Sequence, residues 1–349
     1  MPDTVLIVQP NDNDRRLDRI IRRLLPDTGL SSIYRLIRTG RIRLNDRKSR
    51  PSDRVAEGDR IVLRGPAVGE AHGTEPRAAA RSNAPKSASS HPTLRSLDLP
   101  RMTLWESEDL LALNKPKGVL VHGPGSLDEA VKRYLAHRVG PSLSFHPGPL
   151  HRLDRNTSGV LFFSKSLAGA RTFSELLGSR RLVKLYVGIL DGSIQSREEW
   201  RDVLQRRSAD RITVAGDPAG RPSGRRPGPR RSVSGSGSPA VTFVTPVTSE
   251  GGVSLVVLRI ESGRTHQIRA QAAHHGHPLT GDRKYGGGGL LSSYLLHAAA
   301  VGLTPGAPSL GFVSVTAPLP TSASSAVCTL FGEEAPAAVQ RALRSALSA

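Results

Sequence analysis

The stretch His151-Arg152-Leu153-Asp154-Arg155-Asn156-Thr157-Ser158-Gly159 is a run of polar residues, followed at once by the apolar run Val160-Leu161-Phe162-Phe163. A polar loop that feeds directly into a buried strand holds its side chains at the edge of a sheet, where a rigid element fixes them. Asp154 sits in this loop between Arg152 and Arg155. Neighbouring cations favour the charged form of a carboxylate, so Asp154 is expected to be ionised at neutral pH and available as a base or nucleophile. Taken alone, an aspartate in a polar loop reads equally well as a turn residue or a structural ion pair.

Working outward, three further stretches carry chemistry-bearing residues. Asn114-Lys115-Pro116-Lys117-Gly118-Val119-Leu120-Val121-His122 precedes the loop, Lys184-Leu185-Tyr186-Val187 follows it, and Gly263-Arg264-Thr265-His266-Gln267-Ile268-Arg269 comes later. His277-Pro278-Leu279-Thr280-Gly281-Asp282 and Leu295-Leu296-His297-Ala298 continue the series. In this order they resemble the motifs of the RluA family of pseudouridine synthases, over most of Arg101–Pro318. The resemblance implies a reaction in which the glycosidic bond of a uridine is broken, the uracil turns within the site, and its carbon-5 joins the same sugar carbon. It implies Asp154 as the nucleophile or base that initiates C–N cleavage, and Tyr186 as the residue that stacks on the uracil and helps remove the carbon-5 proton. Arg264 would pair with Asp154 and orient it, and Arg152 would help displace the uridine from its helical stack. Arg155 and Arg269 are expected to contact RNA. No cofactor and no metal are implied.

Between and around these motifs the apolar runs are short and rich in Val, Ile and Leu: Leu110–Asn114, Val119–Val121, Gly159–Phe163, Leu185–Leu190, Val241–Val247 and Val253–Ile260. Their length predicts strands, and with a few helices they give an α+β fold, a mixed, largely antiparallel β catalytic domain over residues 101–330. By resemblance that domain is of pseudouridine synthase type. Residues 331–349 read as a C-terminal helix or tail.

The N-terminal residues 11–66 form a separate basic module of helices and a small β-hairpin. Leu17, Ile20, Ile21, Leu24 and Leu25 recur at helical spacing among Arg15, Arg16, Arg19, Arg22 and Arg23, which predicts one apolar and one cationic face. A second helix is expected from a cap at Ser31 or Ser32 to Gly40, followed by strands at 41–44 and 59–63. This arrangement is similar to the alpha-L RNA-binding module of a small-subunit ribosomal protein and of tyrosyl-tRNA synthetases. It departs from the pattern at Asp46, where a glycine commonly follows the asparagine, and at Ser32, where an arginine is common. The resemblance implies RNA contacts from Arg16, Arg19, Arg35, Arg38 and Arg41. Residues 67–100, rich in Ala, Ser, Pro and Gly, read as a flexible linker. Residues 216–239, with Arg225-Arg226-Pro227-Gly228-Pro229-Arg230-Arg231, read as a disordered insertion within the catalytic domain.

Composition agrees with a polyanionic partner: 49 Lys and Arg against 30 Asp and Glu give a formal charge of +19 over 349 residues. Ribosomal RNA of the large subunit is the expected substrate, with tRNA the alternative, and no oligomer is implied. The single cysteine, Cys328, excludes an intramolecular disulfide and a thiolate metal cluster. Met1–Pro10 lacks a basic start followed by an apolar run, and no apolar stretch is long enough to span a membrane, so a cytoplasmic protein is expected. His266, His274, His275 and His277 form a cluster, but without a cysteine or a nearby carboxylate pair other than Asp282 they do not make a zinc set. The order of residues around Asp154 is wrong for a kinase loop, and no Gly-x-Ser-x-Gly elbow supports a serine hydrolase. A non-catalytic RNA-binding or ribosome-assembly protein remains the competing class. It explains the charge but leaves Asp154, Tyr186 and Arg264 without a task.

Overall fold

The computed structural model describes residues 3–64, 97–207, 212–216 and 237–348. The chain divides into two compact units, one of residues 1–90, 132–148 and 165–168, the other of residues 91–131, 149–164 and 169–349. Most of the expected linker and insertion, including Arg225–Arg231, lies outside the described residues. Their edges do not: Leu99–Met102 is already helical, and Gly216 and Ser238 belong to strands.

In the first unit the elements are β1 (Thr4–Ile7), α1 (Leu17–Leu24), α2 (Leu30–Arg38), β2 (Ile42–Leu44), β3 (Arg47–Lys48) and β4 (Arg60–Leu63). The strands pair antiparallel in the order β1-β4-β2-β3. Helical periodicity turns Leu17, Ile20 and Ile21 of α1 and Ile33 and Ile37 of α2 onto Ile42 and Ile61, and all seven are fully buried. Arg19, Arg22, Arg23, Arg35, Arg38 and Arg41 are exposed. Ser31 and Ser32 do not cap α2. Gly29 occupies that position, so the helix begins one turn before its first buried residue, Ile33. The helix closes at Gly40, whose φ of +74° is one that glycine adopts freely. Asn45 and Asp46 form the two-residue turn between β2 and β3 with φ of +51° and +61°. That conformation explains the usual glycine there, and aspartate is among the side chains that tolerate it. Asp12, fully buried, accepts bonds from the backbone N–H groups of Leu143 and Ser144 and from the hydroxyls of Ser142 and Ser144. Segment 132–148 is thereby stitched into this unit.

The second unit contains α3 (Leu99–Met102), β5 (Thr103–Glu106), β6 (Leu110–Lys115), α4 (Leu127–Leu135), β7 (Gly148–Pro149) and β8 (Ser158–Ser164). There follow α5 (Leu167–Gly178), β9 (Leu182–Asp191), β10 (Glu198–Arg207), β11 (Ile212–Gly216), β12 (Ser238–Glu250), β13 (Val253–Ile260) and α6 (Gln267–His274). Last come β14 (Leu296–Leu303), β15 (Ser314–Thr316), α7 (Thr321–Phe331) and α8 (Ala335–Ser348). One sheet runs β11-β10-β12-β13-β9-β14-β8-β6-β5, with β15 beside β14 and β7 beside β8. Along that path every pairing is antiparallel except β14 with β8, so the expected mixed, largely antiparallel fold is what the chain adopts. The run Val119–Val121 is not a strand; Val119 and Val121 are buried by packing alone.

Two contacts position the loop before β8 and strand β9 in the sheet. Gly159 pairs with Ala298 at the parallel junction, where a Cβ would lie 2.1 Å from the Ala298 carbonyl oxygen, and its φ is +110°. Only glycine fits there. In β9, the residues Leu185, Val187 and Ile189 pack against α7 and α8, through Val327, Phe331, Val339 and Leu343 among others. Strand alternation then sets Tyr186 on the opposite face.

Candidate active site

Asp154 stands in the loop between β7 and β8, Tyr186 on β9, and Arg264 and His266 on the turn from β13 to α6. All four line one cleft, together with Arg152, Leu153, Thr157, Ile260, Arg269 and Leu296. Sequence motifs more than a hundred residues apart thus meet at one end of the sheet.

The loop bearing Asp154 is braced from below. Lys115 at the end of β6 is fully buried, and its ammonium donates to the carbonyls of Pro116 and Val119 at 2.9 Å and of Arg155 at 3.1 Å. Burial pushes its pKa down to about 7 against the opposing pull of Asp154. Arg155 reciprocates by donating from Nε to the Gly118 carbonyl at 3.0 Å. His151 at the head of the motif accepts the Phe162 N–H on Nε2 and stacks on Phe173. Burial pushes its imidazole down to about 3, so it is a neutral packing residue.

The arginine beside Asp154 is Arg269. Its Nη1 lies 3.4 Å from Asp154 Oδ2, while Nε and Nη2 form a fork on Asp282 at 2.6 and 2.8 Å. The rings of Tyr285 and Tyr294 face the guanidinium at 4.8 and 4.7 Å. A planar cation forked on one carboxylate, in reach of a second and against two aromatic rings has little freedom left. Two expectations are therefore corrected. Arg264 does not pair with Asp154: it is exposed in the turn, and its backbone N–H donates to Gln267 Oε1. Arg269, expected to contact RNA, is only 7% exposed, and its guanidinium is engaged by Asp154 and Asp282. The physical reason is that α6 begins at Gln267, which turns the side chain two residues into the helix back towards Asp154 and leaves Arg264, three residues before the helix, at the mouth. Asp282, Tyr285 and Tyr294 join the site without having been expected there; their only sequence signal is the position of Asp282 at the end of the His277–Asp282 motif.

Tyr186 is 7% exposed, and burial, with the charge of Asp154 added, pushes its phenol above the usual tyrosine range. Arg152 is exposed at the rim. Lys117 donates to the carbonyl of Tyr294 at 2.8 Å and so ties the segment before β14 to the turn after β6. Among the remaining histidines, His275 Nε2 is 3.0 Å from Asp202 Oδ2 and His277 Nδ1 bonds the Asp191 carbonyl. Among the described residues no three metal-ligating side chains converge. Nor is any described helix long and apolar enough to cross a membrane. In the first unit, Arg16 forms a fork with Asp18, at 3.1 and 2.6 Å, and so is already engaged.

What the arrangement can do is hold a flat ring between Tyr186 and the motif loop, beside an oriented carboxylate. The family model for RNA pseudouridylate synthase matches residues 109–274, and that for the S4 domain matches residues 15–61. Ribosomal large subunit pseudouridine synthase D of Xylella fastidiosa is 30% identical over 280 residues, 78% of this chain and 72% of that protein. Ribosomal large subunit pseudouridine synthase C of Yersinia pestis is 30% identical over 305 residues, 85% of this chain and 86% of that one. Among solved structures, Human RNA Pseudouridylate Synthase Domain Containing 4 shares the fold with a TM-score of 0.51 and 23% identity, covering 69% of this chain and 94% of its own.

Proposed function

This chain belongs to the RNA pseudouridylate synthase family and carries an N-terminal S4 domain, and on that premise we propose that it isomerises particular uridines of large-subunit ribosomal RNA with Asp154 as the initiating carboxylate. The observation that supports the residue assignment best is the clamp on Asp154. A cation fixed at 3.4 Å from Oδ2 holds that oxygen and leaves the other free to work.

The extruded uridine enters the cleft with its ring on Tyr186, and Arg152 at the rim fills the gap left in the stack. Asp154 initiates cleavage of the bond between C1′ and N1 of uracil, by attack on the sugar carbon or by removal of a ribose proton. The freed uracil turns, C5 bonds to C1′, and the proton from C5 is lost while N1 gains one, so atoms and oxidation state balance. Tyr186 assists the C5 deprotonation. Neutralising Asp154 in a covalent adduct would remove one of the two causes that raise the phenol, which makes its oxygen a more accessible base at that step. Arg269 orients Asp154, and Arg264 at the mouth is placed for a backbone phosphate. Exposed Arg19, Arg35, Arg38 and Arg41 of the S4 domain supply sequence-independent contacts to RNA. Arg16, with its fork on Asp18, contributes mainly to the shape of that face.

Release of tritium from RNA transcripts labelled at carbon-5 of uridine tests the reading. Turnover on large-subunit ribosomal RNA with none on tRNA is expected; turnover on tRNA alone would move the substrate, and RNA binding without release on either would leave a binding protein.

A further inference from the structure

Asp154 has a second neighbour that the proposed chemistry does not use. His266 Nε2 lies 3.9 Å from Asp154 Oδ2, the oxygen that also faces Arg269. On the other side of the ring, Nδ1 is 2.9 Å from the Tyr285 hydroxyl, and that hydroxyl oxygen accepts the backbone N–H of Thr213 at 3.0 Å. The Tyr285 ring meets the imidazole edge-on, with planes at 89°. His266 itself is held with φ of 55° and ψ of 25°, immediately before α6, in a left-handed conformation that is uncommon for a side chain of this size.

The backbone N–H of Thr213 can only donate, so it takes an acceptor site on the Tyr285 oxygen, and the single phenolic proton is available to His266 Nδ1. An imidazole that accepts on Nδ1 carries its own proton on Nε2, the nitrogen that faces Asp154. Thr213 is fixed in turn, since its hydroxyl donates to the Thr265 carbonyl at 2.9 Å, one residue before His266.

Resting on the function proposed above, we infer that His266 is a positioning residue: the chain Thr213, Tyr285, His266 holds it as the neutral Nε2–H tautomer, whose proton steers Oδ2 of Asp154 so that the other oxygen meets the substrate. Arg269 and His266 then restrain the same oxygen from two directions. The ring is also faced by Asp282, Lys284 and the Tyr285 phenol, and burial, with Arg269 and Lys284 adding to it, pushes its pKa below the usual histidine range, so the neutral form holds at working pH. Protonation would put a second donor against the Tyr285 hydroxyl and break the direction of the chain.

The test is the ranking of two amide substitutions in the full-length enzyme. In His266→Gln the amide nitrogen reaches near the old Nε2, whereas in His266→Asn it lies near Nδ1. Backbone considerations alone rank them the other way, because asparagine tolerates the left-handed conformation better than glutamine. The relay predicts that H266Q keeps kcat within about threefold of the parent while H266N and His266→Ala lose about ten- to a hundredfold, with KM and RNA affinity little changed. Tyr285→Phe should lower kcat in the same way. Long-range proton–nitrogen spectra of histidine-labelled enzyme should show His266 neutral and protonated at Nε2. Equal or higher kcat in H266N than in H266Q, or a proton on Nδ1 in the parent enzyme, would overturn the relay. Absence of turnover in the parent enzyme would instead defeat the proposed reaction, so the two failures are told apart.

Discussion

Replacing Arg269 by lysine keeps the positive charge and removes the shape. The guanidinium makes two short bonds to Asp282, reaches Asp154 at 3.4 Å, and lies against two tyrosine rings at 4.7 and 4.8 Å. A lysine ammonium can serve one carboxylate well. Asp282, whose side chain is 1% exposed against 15% for Asp154, would claim it, since the more buried charge has more to lose. The variant forgoes one prong of the fork, at about 1.5–3 kcal/mol for a charge-assisted bond, and ring stacking of about 1 kcal/mol, so stability should fall by about 3 kcal/mol. The bond to Asp154 is long and belongs at the lower end of that range, about 1.5 kcal/mol, which corresponds to about tenfold in kcat. The control is Arg264→Lys, whose parent side chain is exposed and does not pair with Asp154; it should retain kcat within about threefold and alter mainly KM. Thermal melts and steady-state kinetics of both variants on one ribosomal RNA fragment measure this. A larger kcat loss in R264K than in R269K, or an R269K enzyme as stable as the parent, would refute the clamp.

Tyr186→Phe should preserve stacking and RNA affinity yet lower product formation sharply, and equal losses in binding and turnover would indicate a packing role alone. Gly159→Ala should cost about 3 kcal/mol or more and yield little folded protein, because the new Cβ would meet backbone of β14 rather than a movable side chain, as a denaturant melt would reveal. In the S4 domain, neutralising Arg35 and Arg38 together should lower the slope of log affinity against log salt by roughly 0.7 to 0.9 for each phosphate that the parent arginines neutralise, with kcat at saturation unchanged. Point substitutions are preferable to deleting residues 11–66, since that deletion would also remove Asp12 from the four groups of 142–144 that it binds.

The motif loop and its strand were legible because their signal is local: a polar run abutting Val160–Phe163, with Gly159 required at the junction. The helices of the S4 domain were legible for the same reason, through the spacing of Leu17, Ile20 and Ile21. Local signals failed where the energy comes from distant partners. Ser31 and Ser32 have capping chemistry, but the packing of Ile33 and Ile37 starts the helix at Leu30. Strand β10 has no continuous apolar run, and its buried Asp202 is held by Gln271, which donates to it at 2.7 Å, and by His274 and His275. Arg264 and Arg269 belong to one motif, and sequence spacing alone does not say which turns inward; the start of α6 decides that. Asp282, Tyr285 and Tyr294 acquire their roles only once Arg269 lies among them.

The central claim is that the charge on Asp154 initiates the reaction, and Asp154→Asn removes that charge at constant shape. Tritium release from carbon-5-labelled ribosomal RNA, measured beside RNA affinity for the parent and the variant, tests it most directly. Loss of release to background with affinity retained is the predicted result; release by the variant at even about a tenth of the parental rate would contradict it.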